Sequence, residues 1–248
     1  MVRQLPLPVT LRDEASFANF YTRETPEASS RAEATQLLRV LNNTIASAGD
    51  QLSTFAAEFA VYLWGPLGSG KTHLVQACCR QFVDAGHRAM YLPLAELIDY
   101  PAQQVLADLE HNELVCVDDI HLVAQQDAWQ QGLFDLYNRL RDKGRQLVLT
   151  GVDSPGNSDI ALADLRSRMA AATGFALAAY TDEERVEILC FRAQRLGLSL
   201  PHEVARYLLS RAPRDINTLI DCLHRLDREA LAGQRRLTVP FVKLIFDY

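Results

Sequence analysis

The chain has little that would place it in a membrane or outside the cell. No apolar run in its 248 residues approaches the roughly 20 that a transmembrane helix needs. The N-terminus lacks the charged-then-apolar layout of a signal peptide. We therefore expect a soluble cytoplasmic protein that has no membrane partner.

Cysteine is scarce, and the five cysteines are an odd number, which argues against a disulfide framework in a chain of this length. Cys78 and Cys79 are neighbours on a predicted helix and point to different sides, so they do not share a metal easily. The six histidines show no metal-ligand spacing. The cysteines are predicted to be small buried hydrophobic residues.

An excess of positive charge is also missing. Lysine and arginine number 25 against 31 acidic residues, and the formal net charge is −6. A protein that holds nucleic acid through its own broad basic face needs the opposite balance, because phosphate contacts dominate such binding. The length suits one large domain or two small ones.

The chain does contain a complete phosphate-binding motif, G-x-x-x-x-G-K-T, at residues 65–72. An apolar run precedes it at residues 59–64 and a helical pattern follows, which is the context that the motif requires and that a chance glycine-rich turn lacks. Backbone N–H groups and the helix N-terminus would hold phosphates, Lys71 would reach the β- and γ-phosphates, and Thr72 would ligate Mg²⁺. The predicted nucleotide-binding residues of this segment are Gly65, Pro66, Gly68, Ser69, Gly70, Lys71, Thr72 and His73.

Two acids follow a second apolar run, at residues 114–119. Such a pair is ordinarily a solvated turn, but with a phosphate loop upstream it predicts the other half of a nucleotide site. A buried strand would deliver the acids to the sheet edge beside that loop. Asp118 would hold Mg²⁺ through its water shell, and Asp119 would act in catalysis by polarising an attacking water.

Apolar runs alternate with helical patterns as far as residue 180, which predicts an α/β domain with a parallel sheet covered on both faces. Only helical patterns follow. We therefore expect an extended peptide at residues 1–12, an α/β domain at 13–180 and a helical domain at 181–248. A looser helix is expected at residues 102–110. The aromatic cluster at residues 17–21 is expected either to pack on the core or to hold a nucleotide base.

Together these motifs resemble the AAA+ family over nearly the whole chain. Residues 114–120, 134–139 and 147–151 are similar to its DnaA branch. The resemblance implies a P-loop AAA+ domain of three layers followed by a small helical lid, with an adenine nucleotide (ADP or ATP) and Mg²⁺ as cofactors. It also implies that the chain has no DNA-binding domain of its own, because DnaA carries one at its C-terminus and this chain ends at Tyr248.

The resemblance also assigns roles to individual residues. Arg168 matches the arginine finger, which acts in trans on a neighbouring subunit's nucleotide, and Arg214 matches the lid arginine that senses phosphates. The sensor after the central strand is either Thr150 or Asp153, since Val152 stands where the family often has aspartate. The clamp-docking peptide of the family matches Gln4, Leu5, Leu7 and Val9.

The similarity is strongest to the short members of the branch that switch DnaA off. It implies a nucleotide-binding regulator of replication initiation that docks on the DNA polymerase III sliding clamp and stimulates hydrolysis of DnaA-bound ATP. Intrinsic ATP hydrolysis would be weak, and a homo-oligomer would be compatible with the fold. The alternatives are a self-assembling AAA+ ATPase and a helicase-loader-like adaptor.

Overall fold

A computed structural model describes residues 11, 14–22, 30–46, 59–233 and 235–246. The chain divides into two compact units, Met1–Ala178 and Ala179–Tyr248. The peptide that contains Gln4, Leu5, Leu7 and Val9 lies outside the described residues.

The first unit is built on a parallel sheet, as the alternation of apolar runs and helices predicts. The strands are β1 (Ala60–Trp64), β2 (Ala89–Pro93), β3 (Leu114–Asp118), β4 (Gln146–Gly151) and β5 (Thr173–Ala176). Their order in the sheet is β2-β3-β4-β1-β5, and each neighbouring pair is parallel. Every residue of β3 and β4 is buried, which explains their long apolar runs.

Helices cover both faces of this sheet and complete three layers. Alternate residues of β1 enter opposite cores: Val61 and Leu63 pack in one apolar cluster, and Tyr62 packs in the other. The helices of this unit are α1 (Ser30–Ala46), α2 (Lys71–Asp84), α3 (Leu94–Leu97), α4 (Ala102–Val105), α5 (Asp127–Asp142) and α6 (Ala163–Ala170). The predicted three-layer α/β architecture is confirmed.

Two local predictions have a clear outcome in the structure. The helix expected at residues 102–110 is wrong beyond Val105, because Asp108 takes a left-handed conformation (φ 58°) and a 3₁₀ turn at Leu109–His111 follows. The aromatic cluster forms a 3₁₀ turn at Phe17–Asn19, and Phe20 is buried in the core beside α2. Packing therefore accounts for Phe20, and a role for the other aromatic residues in holding a nucleotide base stays a prediction.

The second unit consists of helices around its own apolar core. They are α7 (Asp182–Arg195), α8 (His202–Arg211), α9 (Ile216–Gly233) and α10 (Val239–Phe246). A capping box begins α7: the Glu184 N–H donates to Thr181 Oγ1 (3.1 Å), and the Thr181 N–H donates to Glu184 Oε2 (2.7 Å). Within the described ranges, no helix is long and apolar enough to cross a membrane.

Candidate functional site

The phosphate loop joins the end of β1 to the start of α2. Gly65, Gly68 and Gly70 all have positive φ angles, which curl the backbone without a side-chain penalty. The Gly65 N–H donates to the carbonyls of Gly151 (3.3 Å) and Val152 (3.1 Å). A Cβ on Gly65 would lie 2.0 Å from a backbone oxygen of the segment that follows β5, so only glycine fits there.

Lys71 is buried at the start of α2 and folds back on its own loop. Its Nζ donates to the carbonyls of Gly65 (2.7 Å) and Pro66 (2.9 Å). Burial lowers the pKa of Lys71, while the charges of Asp119 and Asp118 act in the opposite direction. The lysine and both acids therefore share one electrostatic environment, as the motif predicts.

The acid pair lies where β3 ends. Asp118 is buried, and its Oδ2 accepts a hydrogen bond from the Tyr91 hydroxyl (2.8 Å), while its Oδ1 accepts one from the Thr150 hydroxyl. Asp119 follows in a left-handed conformation (φ 62°), and its N–H donates to Thr150 Oγ1 (2.8 Å). Burial, and then the neighbouring charge of Asp118, raise the pKa of Asp119.

The two alternative sensors occupy different environments. Thr150 is fully buried at the carboxyl half of β4 and bridges both acids through the hydrogen bonds just described. Asp153 is exposed in the loop after β4, and its carbonyl accepts a hydrogen bond from the Tyr62 hydroxyl (2.6 Å). It lines a cavity of about 180 Å³ together with His121. Thr150 is thus brought together with the acid pair.

His73, in the first turn of α2, contacts the N-terminal segment of the first unit. Its Nε2–H donates to the Ser16 carbonyl (2.8 Å), and its ring centroid lies 5.3 Å from that of Phe20. The histidine therefore ties the aromatic turn to the phosphate-loop helix.

Arg168, the residue matched to the arginine finger, lies in the last turn of α6. Its guanidinium packs over two aromatic rings of α5, at 5.6 Å from the centroid of Tyr137 and 5.9 Å from that of Phe134. Both rings belong to the segment 134–139 that resembles DnaA. Arg166, two residues away, is exposed. The helix thus presents one arginine supported by aromatic rings and one facing solvent.

Arg214, the residue matched to the lid arginine, lies in the second unit just before α9. Its side chain is 72% exposed and pairs with Asp182, with 3.3 Å between Nη2 and Oδ2. Asp182 also accepts a hydrogen bond from Arg185. Arg214 precedes the helix, because Asp215 caps α9 by accepting from the Thr218 N–H (2.9 Å).

The donor set at this sheet edge suits Mg²⁺. Thr72 follows Lys71 in the first turn of α2, and Asp118 supplies a buried carboxylate, which are the oxygen ligands that magnesium prefers. The described part of the chain holds no cluster of three or more histidine, cysteine or acidic residues of the kind that cages a metal alone. An ion at this edge would therefore need phosphate and water oxygens as further ligands.

Sequence reasoning missed Tyr91 and Gln76. Tyr91 lies on β2 opposite Cys116 of β3, and its hydroxyl also forms a hydrogen bond with the buried Gln76 side chain of α2. A tyrosine within an apolar strand was the only signal for this contact. The contact could not be inferred without knowing that β2 and β3 are neighbours.

Comparison with known proteins identifies the family of the first unit. The family described as "Bacterial DnaA ATPase domain" matches residues 34–177, more than half of the chain. The chain belongs to the DnaA ATPase-domain family. Residues 182–246 of this DnaA-family chain match a second family, described as "Hda, lid domain".

Individual relatives agree with this assignment. An uncharacterized protein of Haemophilus influenzae is 36% identical over 248 residues, which is the full length of both chains. Domain III of the Thermotoga maritima replication initiation protein DnaA has a TM-score of 0.73 at 20% identity, covering 96% of this chain and 98% of that one. AMPPCP-bound DnaA from Aquifex aeolicus has a TM-score of 0.68 at 19% identity, covering 90% and 68%. The predicted AAA+ domain of the DnaA branch followed by a helical lid is thus confirmed.

Proposed function

We propose that this DnaA-family protein binds an adenine nucleotide, docks on the replicative sliding clamp, and uses Arg168 to stimulate hydrolysis of ATP bound to DnaA. It would thereby restrain replication initiation. The observation that carries the proposal is the placement of Arg168 in a chain whose second unit matches the Hda lid family.

Arg168 has the properties that an arginine acting in trans requires. Its guanidinium packs over the rings of Phe134 and Tyr137, and this restricts its rotamers before a partner arrives. A preorganised guanidinium loses less entropy when it stabilises charge developing on a γ-phosphate. We infer that Arg168 extends from this aromatic support into the nucleotide site of a DnaA molecule.

The nucleotide half of the proposal rests on the phosphate loop and the acid pair. The related DnaA of Aquifex aeolicus binds AMPPCP, a non-hydrolysable ATP analogue. In this chain Lys71 would exchange the carbonyls of Gly65 and Pro66 for the β- and γ-phosphates. The backbone N–H groups of the loop would hold the same phosphates. Arg214 would contact them from the lid.

The remaining roles follow the positions of the oxygen ligands. We infer that Thr72 and Asp118 hold Mg²⁺, which neutralises phosphate charge when bound. Asp119 would orient the attacking water, and either Thr150 or Asp153 would sense the γ-phosphate. Weak intrinsic hydrolysis, with the main catalytic effect in the partner's site, is part of the proposal.

Clamp docking would use the N-terminal peptide with Gln4, Leu5, Leu7 and Val9. Pro6 and Pro8 predict an extended peptide, because proline disfavours a helix, and extended peptides are a common form of docking segment. The partners of the protein would then be DnaA and the DNA polymerase III sliding clamp.

The two rival functions make different demands. A self-assembling AAA+ ATPase would hydrolyse ATP on its own, and its rate would rise with protein concentration. A helicase-loader-like adaptor would bind the helicase, not the clamp, and would leave DnaA-bound ATP intact. ATP turnover by the purified chain and its binding to each of the two partners separate these rivals from the regulator.

The decisive test replaces Arg168 with alanine and follows hydrolysis of DnaA-bound ATP on clamp-loaded DNA. We expect the stimulated rate of hydrolysis to fall by a factor of about 10³–10⁵, or to the detection limit of the assay. The reason is that an absent arginine finger leaves transition-state charge uncompensated. Nucleotide and clamp binding by the variant should match the wild type. Arg168→Lys should rescue poorly, because an ammonium does not reproduce the planar guanidinium.

Arg166→Ala is the matched control for this test. Arg166 lies on the same helix but is exposed and faces another direction. We expect this variant to stimulate DnaA-bound ATP hydrolysis at nearly the wild-type rate. The assignment would be overturned if Arg166→Ala were inactive and Arg168→Ala active.

A further inference from the structure

A buried chain of hydrogen bonds connects the phosphate-loop helix with three adjacent strands. The Gln76 side chain of α2 bonds to the Tyr91 hydroxyl of β2, and this hydroxyl donates to Asp118 Oδ2 at 2.8 Å. On the other side, the Thr150 hydroxyl of β4 donates to Asp118 Oδ1. All four side chains are at least 94% buried. Each oxygen of the Asp118 carboxylate therefore accepts a hydrogen bond from a different strand.

The Tyr91 contact persists over the whole working pH range. A tyrosine phenol ordinarily keeps its proton below about pH 10, so the Tyr91 hydroxyl continues to donate to Asp118. The side-chain amide of Gln76 can donate a hydrogen bond to the phenolic oxygen, which accepts through a lone pair while its O–H donates to Asp118. The Tyr91 hydroxyl is thus held by side chains of two elements, α2 and β3.

We propose that Tyr91 is a positioning residue that orients the Asp118 carboxylate toward the divalent cation of a bound nucleotide. The inference rests on the proposed nucleotide site. An aspartate side chain has two rotatable bonds, and a hydrogen bond to one oxygen leaves rotation about the second possible. Hydroxyls on both sides, one from β2 and one from β4, stop that rotation while each carboxylate oxygen retains lone-pair capacity.

Magnesium makes this orientation matter. It requires a nearly ideal octahedral arrangement of ligands, so a tilted carboxylate or a displaced water weakens binding more than it would for calcium. Partners that hold a metal-binding carboxylate typically contribute 10–100-fold to metal affinity. Tyr91 never has to touch the cation to produce such an effect.

The test removes the Tyr91 hydroxyl alone, as Tyr91→Phe, in the full-length protein. Binding of fluorescent ADP is measured in EDTA and then across a titration of Mg²⁺. We expect the affinity in EDTA to match the wild type and the Mg²⁺ concentration of half-maximal effect to rise about tenfold. A merely structural role would lower the affinity in EDTA as well.

Tyr62→Phe is the matched control. Tyr62 lies on β1, is equally buried, and donates its hydroxyl to the Asp153 carbonyl and not to Asp118. We expect its Mg²⁺ midpoint to stay at the wild-type value. If a thermal melt shows Tyr91→Phe to be unfolded, Gln76→Met takes its place. That variant keeps the tyrosine but removes the amide that holds it, and should raise the midpoint in the same direction.

The outcomes separate this inference from the proposed function. A wild-type chain that binds no ADP would overturn both. If the wild type binds ADP and the Tyr91→Phe and Gln76→Met variants have the same Mg²⁺ midpoint as the wild type, the positioning role alone is overturned. Loss of ADP affinity in EDTA, an equal shift in Tyr62→Phe, or a wild type indifferent to Mg²⁺ would also overturn it.

Discussion

At the scale of single residues, the site is shaped by charges that the fold removes from water. Asp118 is almost fully buried and Asp119 is partly buried beside it. Lys71 offsets part of their repulsion, and neutral donors hold Asp118 in place. Because the two carboxyl groups lie together at the end of one strand, the negative charge of Asp118 disfavours ionisation of Asp119.

This repulsion predicts a pH dependence for Asp119→Asn in protein free of nucleotide and metal. A carboxyl whose pKa is raised by folding holds its proton to higher pH in the folded state than in the unfolded state. The contribution of Asp119 to wild-type stability therefore falls as the pH rises from 3.8, the ordinary value of this pKa, through the raised value. Asparagine does not ionise, and it tolerates the left-handed backbone of this position.

We therefore expect the melting temperature of Asp119→Asn to exceed that of the wild type by an increasing margin as the pH rises through this window, and by a constant margin above it. Thermal melts in EDTA at pH 4 to 8 measure the difference. If the melting temperatures of the two proteins differed by the same amount at every pH, folding would not disfavour the ionisation of Asp119.

At the scale of elements, a helix start is set locally where the capping groups lie within one turn. Thr181 and Glu184 are three residues apart, and their reciprocal hydrogen bonds begin α7 at the start of the predicted helical domain. The region between β2 and β3 behaved differently. Its helical pattern continues past Val105, but α4 ends there and the left-handed backbone of Asp108 separates it from the following 3₁₀ turn.

The capping box predicts the effect of Thr181→Ala. The variant loses the side-chain acceptor for the Glu184 N–H, which typically costs about 1 kcal/mol of helix stability. We expect amide hydrogen exchange in the first turn of α7 to accelerate about fivefold where it proceeds by local opening, with little change in α2.

Thr181→Ser is the control, because serine keeps the accepting hydroxyl and should retain most of the protection. Equal acceleration by serine and alanine would indicate that the methyl group of Thr181, and not its hydrogen bond, stabilises the start of α7.

At the scale of the whole molecule, we propose that the chain combines an N-terminal docking peptide with two folded units. Replacing Gln4, Leu5 and Leu7 by alanine should abolish clamp binding, because a short extended peptide has few other anchors. Nucleotide binding should be unchanged, since the phosphate loop and the acid pair lie elsewhere in the sequence.

Size-exclusion chromatography with the clamp, alongside ADP binding, measures both properties of the triple variant. Replacing Arg3 and Thr10, which flank the peptide in the sequence, by alanine provides the control, and this variant should still co-elute with the clamp. Continued co-elution of the triple variant with the clamp would place the docking surface outside the peptide.

The sequence by itself determined the family, the phosphate loop, the acid pair and the succession of an α/β domain and a helical lid. These are short-range patterns: eight consecutive residues for the loop, and six for the strand with its acids. Each pattern can be recognised in the sequence because its functional groups come from a few neighbouring residues.

Only the tertiary structure decided which side chains meet at the sheet edge. Tyr91, Asp118 and Thr150 come from three strands separated by 27 and 32 residues along the chain, and parallel pairing alone brings their polar ends together. The support of Arg168 by Tyr137 likewise depends on α6 packing against α5. Such contacts depend on strand order and helix packing. These are set by contacts between residues far apart in the sequence, which form when the whole apolar core is buried.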